Sequence, residues 1–397
     1  MRGYRADRAF DGVRALPGGA LVLVEGDLIV GVEPASAAAP DGCEVVELPG
    51  GTLLPGLIDS HVHLCADSGP RALDQVPELS AEQLDRVIAT AEQQHLRAGV
   101  TAVRDLGDHH WAVVDRVRAG ATQLTVVGAG PPITSPGGHC WSMGGEASGE
   151  EELRRAVRER AGRGAAVVKI MTSGGVMTPG TDMHACQFTA EELRVVVEQA
   201  HRLGLPVVAH AHALTAVERS AAAGVDGIEH CSCLTRDGAR RPPELIARLV
   251  AAGTPVCPTL GRIPGVEPPP HVQAALEAAG ASYEAHLPHV AELRRAGIVL
   301  IAGTDAGIGP GKRHGLVPYA VADLVDECGM SPENALAAAT GLAARACGLD
   351  DRTGRLAAGL QADLLLVDGD ALTDVTALQR PRTVLARGRQ VPLGQAV

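Results

Sequence analysis

A chain of 397 residues, 46% hydrophobic and 21% charged, carries enough apolar material for a large core and exceeds what one small domain needs. Its formal net charge of -12 disfavours nucleic acid and anionic membrane as partners, because both select basic surfaces. The N-terminal stretch mixes charges with glycines and lacks an apolar secretory core, and no apolar run reaches spanning length, so the expected address is the cytoplasm.

Residues 1–55 read as short alternating runs, GGALVLVEGDLIVGVEP and then CEVVELPGGTLLP, broken by Gly and Pro turns and without helical spacing. They predict β-hairpins. GLIDSHVHL follows at 56–64. Side chains alternate faces along a strand, so His61 and His63 point one way and Val62 the other. Two imidazoles aimed at one spot suggest a metal, and hydrogen-bonded histidines at a strand end are the other reading.

From there a unit repeats: an apolar run of strand length, a polar loop, an amphipathic stretch, and a glycine before the next run. The runs are LLPGLIDSHVHL, VTAVRDLG, LTVVGAG, AAVVKIMTSGG, PVVAHAHA, VDGIEHCS, TPVCPTLG and IVLIAGTDAG. Between them lie helix candidates such as AEQLDRVIATAEQQHLRAG, EELRRAVRERAGRG, AEELRVVVEQAHRLG and PPELIARLVAAG, each closing near a glycine suited to a helix C-cap. Runs rich in Val and Ile that alternate with helices imply a parallel sheet buried on both faces. Eight such units in series favour a closed (β/α)8 barrel over an open doubly wound sheet, whose Gly-x-Gly-x-x-Gly does not follow the first run. SPENALAAATGLAARACGL, 331–349, is expected to be the last barrel helix. Residues 356–397, with ADLLLVDGD and RTVLARGRQVPL, return to hairpin patterning. The division is therefore a discontinuous β-sandwich domain, 1–55 plus 356–397, flanking a barrel of residues 56–355.

Active sites of such barrels sit at the C-terminal ends of the strands. Ranked along the runs, those ends carry His61 and His63, Lys169, His210 and His212, His230 and Asp305, all suited to metal ligation and converging by topology although scattered along the chain. Lys169 inside an apolar run is costly to bury charged; pairing with a carboxylate is one reading and a Schiff-base nucleophile another. Arg104 and Asp105 read as an internal ion pair at the mouth. Nine cysteines in spacings that fit no disulfide framework read as reduced thiols, and the C-x-C of Cys231 and Cys233 beside His230 reads as packing before soft-metal binding.

PGLIDSHVHL, TAVRD, PGGHCW, VKIMTSGGV, QFTAEELRVVVEQAH, VVAHAHA, GVDGIEHC, AGTDAG, ENALAAAT and QADLLLVDGD, in that order, resemble the amidohydrolase superfamily. Within it they are similar to the binuclear-metal branch of Xaa-Pro and Xaa-Lys/Arg dipeptidases, ochratoxin-type amidases and imidazolonepropionase-like proteins. The resemblance implies a distorted (β/α)8 TIM barrel with a small β-sandwich from both termini. It also implies two divalent ions, most often zinc, with Lys169 carboxylated to bridge them, His61, His63 and Asp305 holding one ion, and His210 and His230 the other. A metal-bridged hydroxide would attack the amide, with Asp305 as general acid and base. By the same resemblance His139 in PGGHCW contacts the substrate carbonyl or carboxylate. His212 stands where some relatives have tyrosine, and is a second substrate contact.

The expected function is hydrolysis of an amide bond in a small molecule such as a dipeptide or N-acyl amino acid, in a homo-oligomer by analogy with relatives. Ring opening of a cyclic amide, an imidazolone or lactam, is the alternative, and Lys169 weighs against it because that branch lacks a bridging lysine. A non-catalytic binding scaffold is the third reading, and the complete ligand set weighs against that. GGVMTPGTDMHACQF is expected to form a mobile cover over the site, with His184 in it. Lys312, Arg313 and His314 in GPGKRHGL are expected near the mouth, where an anionic group on a substrate would meet them.

Overall fold

The computed structural model describes residues 1–393. Its inner strands run parallel in two ladders. One joins β1 (Leu57–Val62), β2 (Val100–Asp105) and β3 (Thr125–Gly128); the other joins β4 (Val168–Met171), β5 (Val207–Ala213), β6 (Gly227–Thr235) and β7 (Val256–Cys257). A bridge from Ile133 to Ile170 links the ladders on one side. On the other, Leu300 bridges to Val256 and Ala306 bridges to Val62. The fold is α/β and TIM-barrel-like.

The eighth run, IVLIAGTDAG, was expected to be a strand like the others, but it touches its neighbours through those two bridges and forms no ladder of its own. Side chains reinforce the backbone bonds there. The Thr304 amide donates to Asp59 Oδ1 at 2.9 Å and its hydroxyl to Asp59 Oδ2 at 2.6 Å. Gly303 lies so close to β1 that a Cβ would sit 2.9 Å from the His61 nitrogen. Asp305 then takes a left-handed backbone, φ 59°, which ends the extended path.

Helices pack outside. Ala81–Arg97 begins with a reciprocal cap in which Gln83 N donates to the Ser80 hydroxyl and Ser80 N to the Gln83 side chain. It buries Leu84, Ile88, Ala91, His95 and Leu96, spaced as one helical face. Ala190–Arg202 repeats the cap with Thr189 and Glu192. Residues 331–349 do not form the single helix that their composition suggested. The segment breaks at Thr340 into Pro332–Ala338 and Gly341–Ala346, because Gly341 N bonds to Gly12 O at 3.2 Å and a Cβ there would lie 2.3 Å from that oxygen.

Both termini enter one eight-stranded sheet. Glu44–Pro55 runs parallel to Arg2–Phe10 and antiparallel to Leu364–Asp368, so the N-terminal and C-terminal segments share its centre. Alternation makes it two-faced. Leu53, Leu364, Leu366 and Leu385 belong to a small core with Tyr4 and Ile29, whereas Leu54, Leu365, Val367 and Val384 join the main core under the barrel strands.

Candidate metal centre

The end of β1 is tied to the segment that carries Asp305 by two backbone bonds: Asp305 N to His61 O at 2.8 Å and His63 N to Ala306 O at 2.9 Å. This lacing sets the Asp305 carboxylate between the two imidazoles, with Oδ1 3.3 Å from His61 Nε2 and 3.2 Å from His63 Nε2. A second triad, His210, His212 and His230, comes from β5 and β6; in each triad one ligand-type atom per residue falls within 4.8 Å of the others. The triads adjoin. Ring centroids of His61 and His230 are 5.4 Å apart, and those of His210 and His230 4.6 Å.

Lys169 on β4 pairs in register with Val208 and is fully buried. Its Nζ has no hydrogen-bond partner among the described residues. Burial pulls its pKa down, against the opposing pull of Glu229 and Asp305. Burial likewise lowers His61 to about 4 and His212 and His139 to about 3, and holds His210 and His230 well below the ordinary imidazole range. Neutral imidazoles are the form that binds metal.

The imidazoles are oriented from behind. His61 Nδ1 lies 2.8 Å from Glu229 Oε2, whose other oxygen accepts from Arg104 at 2.9 Å. His63 Nδ1 faces Gly107 O at 3.1 Å and His230 Nδ1 the Thr259 hydroxyl at 3.0 Å. These bonds leave the Nε2 atoms of His61, His63 and His230 free to ligate. His210 is tied through Nε2 to Gly174 O, 3.2 Å. Burial pushes the Glu229 carboxyl up, but Arg104 and His61 outweigh it and hold the group at about 2, so it remains an anion.

Glu229 is the residue that sequence reading missed. Strand alternation sends neighbouring residues to opposite faces, which discourages giving Glu229 and His230 to one site. A left-handed φ of 64° at His230, followed by 51° at Cys231, breaks the alternation and lets both reach His61. The available signal was a glutamate inside an otherwise apolar buried run. Thr259, also left-handed at φ 54°, was missed because its role depends on the turn after β7.

Arg104 and Asp105 do not pair. As strand neighbours they diverge: Arg104 goes to Glu229 and to Ser60 O, and Asp105 accepts from Leu64 N at 2.7 Å and Gly107 N at 3.3 Å. His139 lines the cavity, its Nδ1 3.0 Å from the Thr178 hydroxyl and its ring 4.6 Å from that of His210. His212 bonds the Ser232 hydroxyl at 2.9 Å. The cluster opens into a cavity of about 290 Å³, roofed by Val176 and Met177 of the loop after β4 and by Val272 and Leu276 of the helix Pro270–Ala278. The loop after β4, expected to be a mobile cover, lines the cavity and is held through Gly174 N to Asp182 O at 3.2 Å and His184 Nε2 to Ala279 O at 3.1 Å. His184 therefore serves the roof. Lys312 lines the cavity, Arg313 is exposed, and His314 is buried against Ala66 O. Cys231 and Cys233 are buried thiols outside both triads.

Imidazole nitrogens, carboxylate oxygens and an orphaned buried amine form a donor set that fits divalent ions of borderline softness. The fold and this cluster define a class: TIM-barrel-like proteins with a candidate metal centre at the strand ends. Residues 52–391 match the amidohydrolase family, and the chain belongs to it; it is a hydrolytic enzyme that acts on carbon–nitrogen bonds. The family generally uses divalent metals. The chain is 29% identical over 364 residues to ochratoxinase of Aspergillus niger, covering 84% of this chain and 73% of that protein. It is 27% identical over 382 residues to imidazolonepropionase of Salinispora tropica, covering 88% and 86%. Its fold superposes on a crystal structure of a Xaa-Pro dipeptidase with bound methionine at a TM-score of 0.85 and 24% identity, covering 98% of this chain and 99% of that one.

Proposed function

We propose that this protein hydrolyses the amide bond of a small molecule such as a dipeptide or an N-acyl amino acid, at a centre for two divalent ions, zinc before others. Lys169 carries the reading. A buried amine with no partner is costly, and carboxylation would turn it into an anionic oxygen ligand between the His61–His63–Asp305 and His210–His230 groups. When bound, the ions would acidify water and polarise the scissile carbonyl. The protein's own residues do the rest. Asp305 would take the proton of the attacking water and hand it to the leaving nitrogen as the new C–O bond forms and the C–N bond breaks. His139 and His212, both on the cavity wall, would hold the substrate carbonyl or carboxylate. The bridges around the inner strands would close as a distorted (β/α)8 barrel over residues 56–355, with 1–55 and 356–397 as its sandwich domain. Among the described residues, no helix is long and apolar enough to cross a membrane.

The likeness to imidazolonepropionase favours a second reading, ring opening of a cyclic amide. Elemental analysis of the purified protein, with carbon-13 NMR after equilibration with labelled bicarbonate to detect a lysine carbamate, separates the two. About two ions per chain and a carbamate signal are expected for the first reading. One ion and an unmodified lysine would favour ring opening, and no bound metal after reconstitution would remove the hydrolytic mechanism altogether.

A further inference from the structure

We infer that Lys312 is a specificity-determining residue that receives a free carboxylate carried by the substrate close to the scissile amide. This rests on the reading of the site as a small-molecule amide hydrolase. Lys312 sits in the loop beyond Asp305, held by Gly307 N to Lys312 O at 2.7 Å and Lys312 N to Gly309 O at 2.9 Å. Its Nζ donates to Thr259 O at 2.8 Å and Gly261 O at 2.9 Å. An ammonium has three N–H donors, so one remains, and the side chain lines the cavity.

The other cations of the cavity wall are already neutralised. Arg71 pairs with Glu78 at 2.6 Å, and Arg262 pairs with Glu284 while its guanidinium lies over the Tyr283 ring. Lys169 belongs to the metal centre. Outside the metal centre, Lys312 alone among the described cavity cations has no carboxylate within pairing distance: two carbonyl oxygens hold its Nζ, which also lies 5.4 Å from the centroid of the Tyr283 ring. Two carbonyl dipoles orient the ammonium without cancelling its charge, and an incoming carboxylate completes the pair. Position adds specificity. Thr259 holds Lys312 through its carbonyl and His230 through its hydroxyl, so one residue fixes the distance from the anion site to the candidate metal centre. Substrates with a carboxylate near the amide are therefore selected, and neutral isosteres are rejected.

The test uses metal-loaded protein and matched probes: the N-acetyl derivatives of methionine, leucine, proline and lysine, each against its primary carboxamide, with binding by calorimetry and turnover measured in parallel. At least one wild-type carboxylate should bind about 10- to 100-fold tighter than its carboxamide, the range of a charge-assisted hydrogen bond. Lys312→Met should erase that ratio by weakening the carboxylate alone. Lys312→Gln, neutral but able to donate to the loop carbonyls, should do the same where the Met variant does not fold. A wild type without carboxylate preference overturns the inference. So does a variant that weakens both members of each pair equally, the signature of a mere strut for the Thr259 loop. Preference for the carboxylate without amide cleavage would sink the proposed N-acyl amino acid substrates and leave Lys312 as an anion site, whereas cleavage that ignores the carboxylate would sink Lys312 alone.

Discussion

Glu229 and Lys169 are buried ionisable groups with opposite solutions to the same cost. Glu229 is satisfied twice, by His61 and Arg104, and its anionic charge also fixes the His61 tautomer. Glu229→Gln keeps the shape but removes the charge, leaving Arg104 buried without an anion. The expected loss of stability is about 3 kcal/mol, the scale for breaking a buried pair, and metal affinity should fall about 10- to 100-fold. Chemical denaturation and a metal titration against a competing chelator read the two effects separately; an unchanged affinity would mean that the imidazole needs no anion behind it. Lys169 has no hydrogen-bond partner among the described residues. Lys169→Met should therefore make the metal-free protein more stable, by about 1–3 kcal/mol, the desolvation cost of an unsatisfied polar group, while catalysis falls at least about 1,000-fold. A metal-free Met variant that melts below the wild type would show that the amine is satisfied after all.

At the scale of elements, the helix Ala81–Arg97 is fastened to the loop beyond Asp305 by a buried pair, His95 Nε2 to His314 Nδ1 at 3.1 Å, and His314 Nε2 continues to Ala66 O at 2.8 Å. Burial lowers His314 to about 4 from an ordinary 6.5. Between those values the unfolded chain binds more protons than the folded one, so stability falls as pH drops through that window and is whole above it. At pH 5 the imidazole alone accounts for about 2 kcal/mol of the loss. In His314→Asn the stability difference between pH 7 and pH 5, from denaturation midpoints, should shrink by that amount; an identical difference would place the acid sensitivity elsewhere. The helix itself was legible: Ser80 and Gln83 mark its cap and the apolar spacing marks its buried face. So were the His61–His63 pair and the strand ends that converge on it, because a period of two and a parallel topology dictate them. What could not be read follows from local departures from period. Arg104 and Asp105 looked paired because they adjoin, yet a strand sends them apart. Glu229 was passed over because strand alternation would turn it away from His230, yet a left-handed residue brings both to one site. The eighth run looked like a strand, but Asp59 and Gly303 show their part in it only in three dimensions.

For the whole molecule, the question is whether the terminal sheet is an appendage or part of the machine. Glu44–Pro55 passes through Gly56 directly into β1, and Gly56 N bonds Asp363 O at 2.9 Å, so the strand bearing His61 is anchored by the sheet that both termini build. Leu365, opposite Leu54 in that sheet, is fully buried in the main core, and a Cβ on Gly99 at the entry to β2 would lie 2.8 Å from it. The sheet thus shares a core with the barrel strands, and an interface of that kind transmits unfolding from one side to the other. Leu365→Ala should cost about 2–5 kcal/mol, as other large-to-small core changes do. Far-UV circular dichroism, which reads the whole chain, and metal release, which reads the centre, should then keep one common midpoint, shifted down together. If the sheet were a separate domain, the dichroism curve would split and the metal would stay bound through the first step. A single shifted transition would instead mean that residues at the two ends of the sequence set the stability of a centre built between His61 and Asp305.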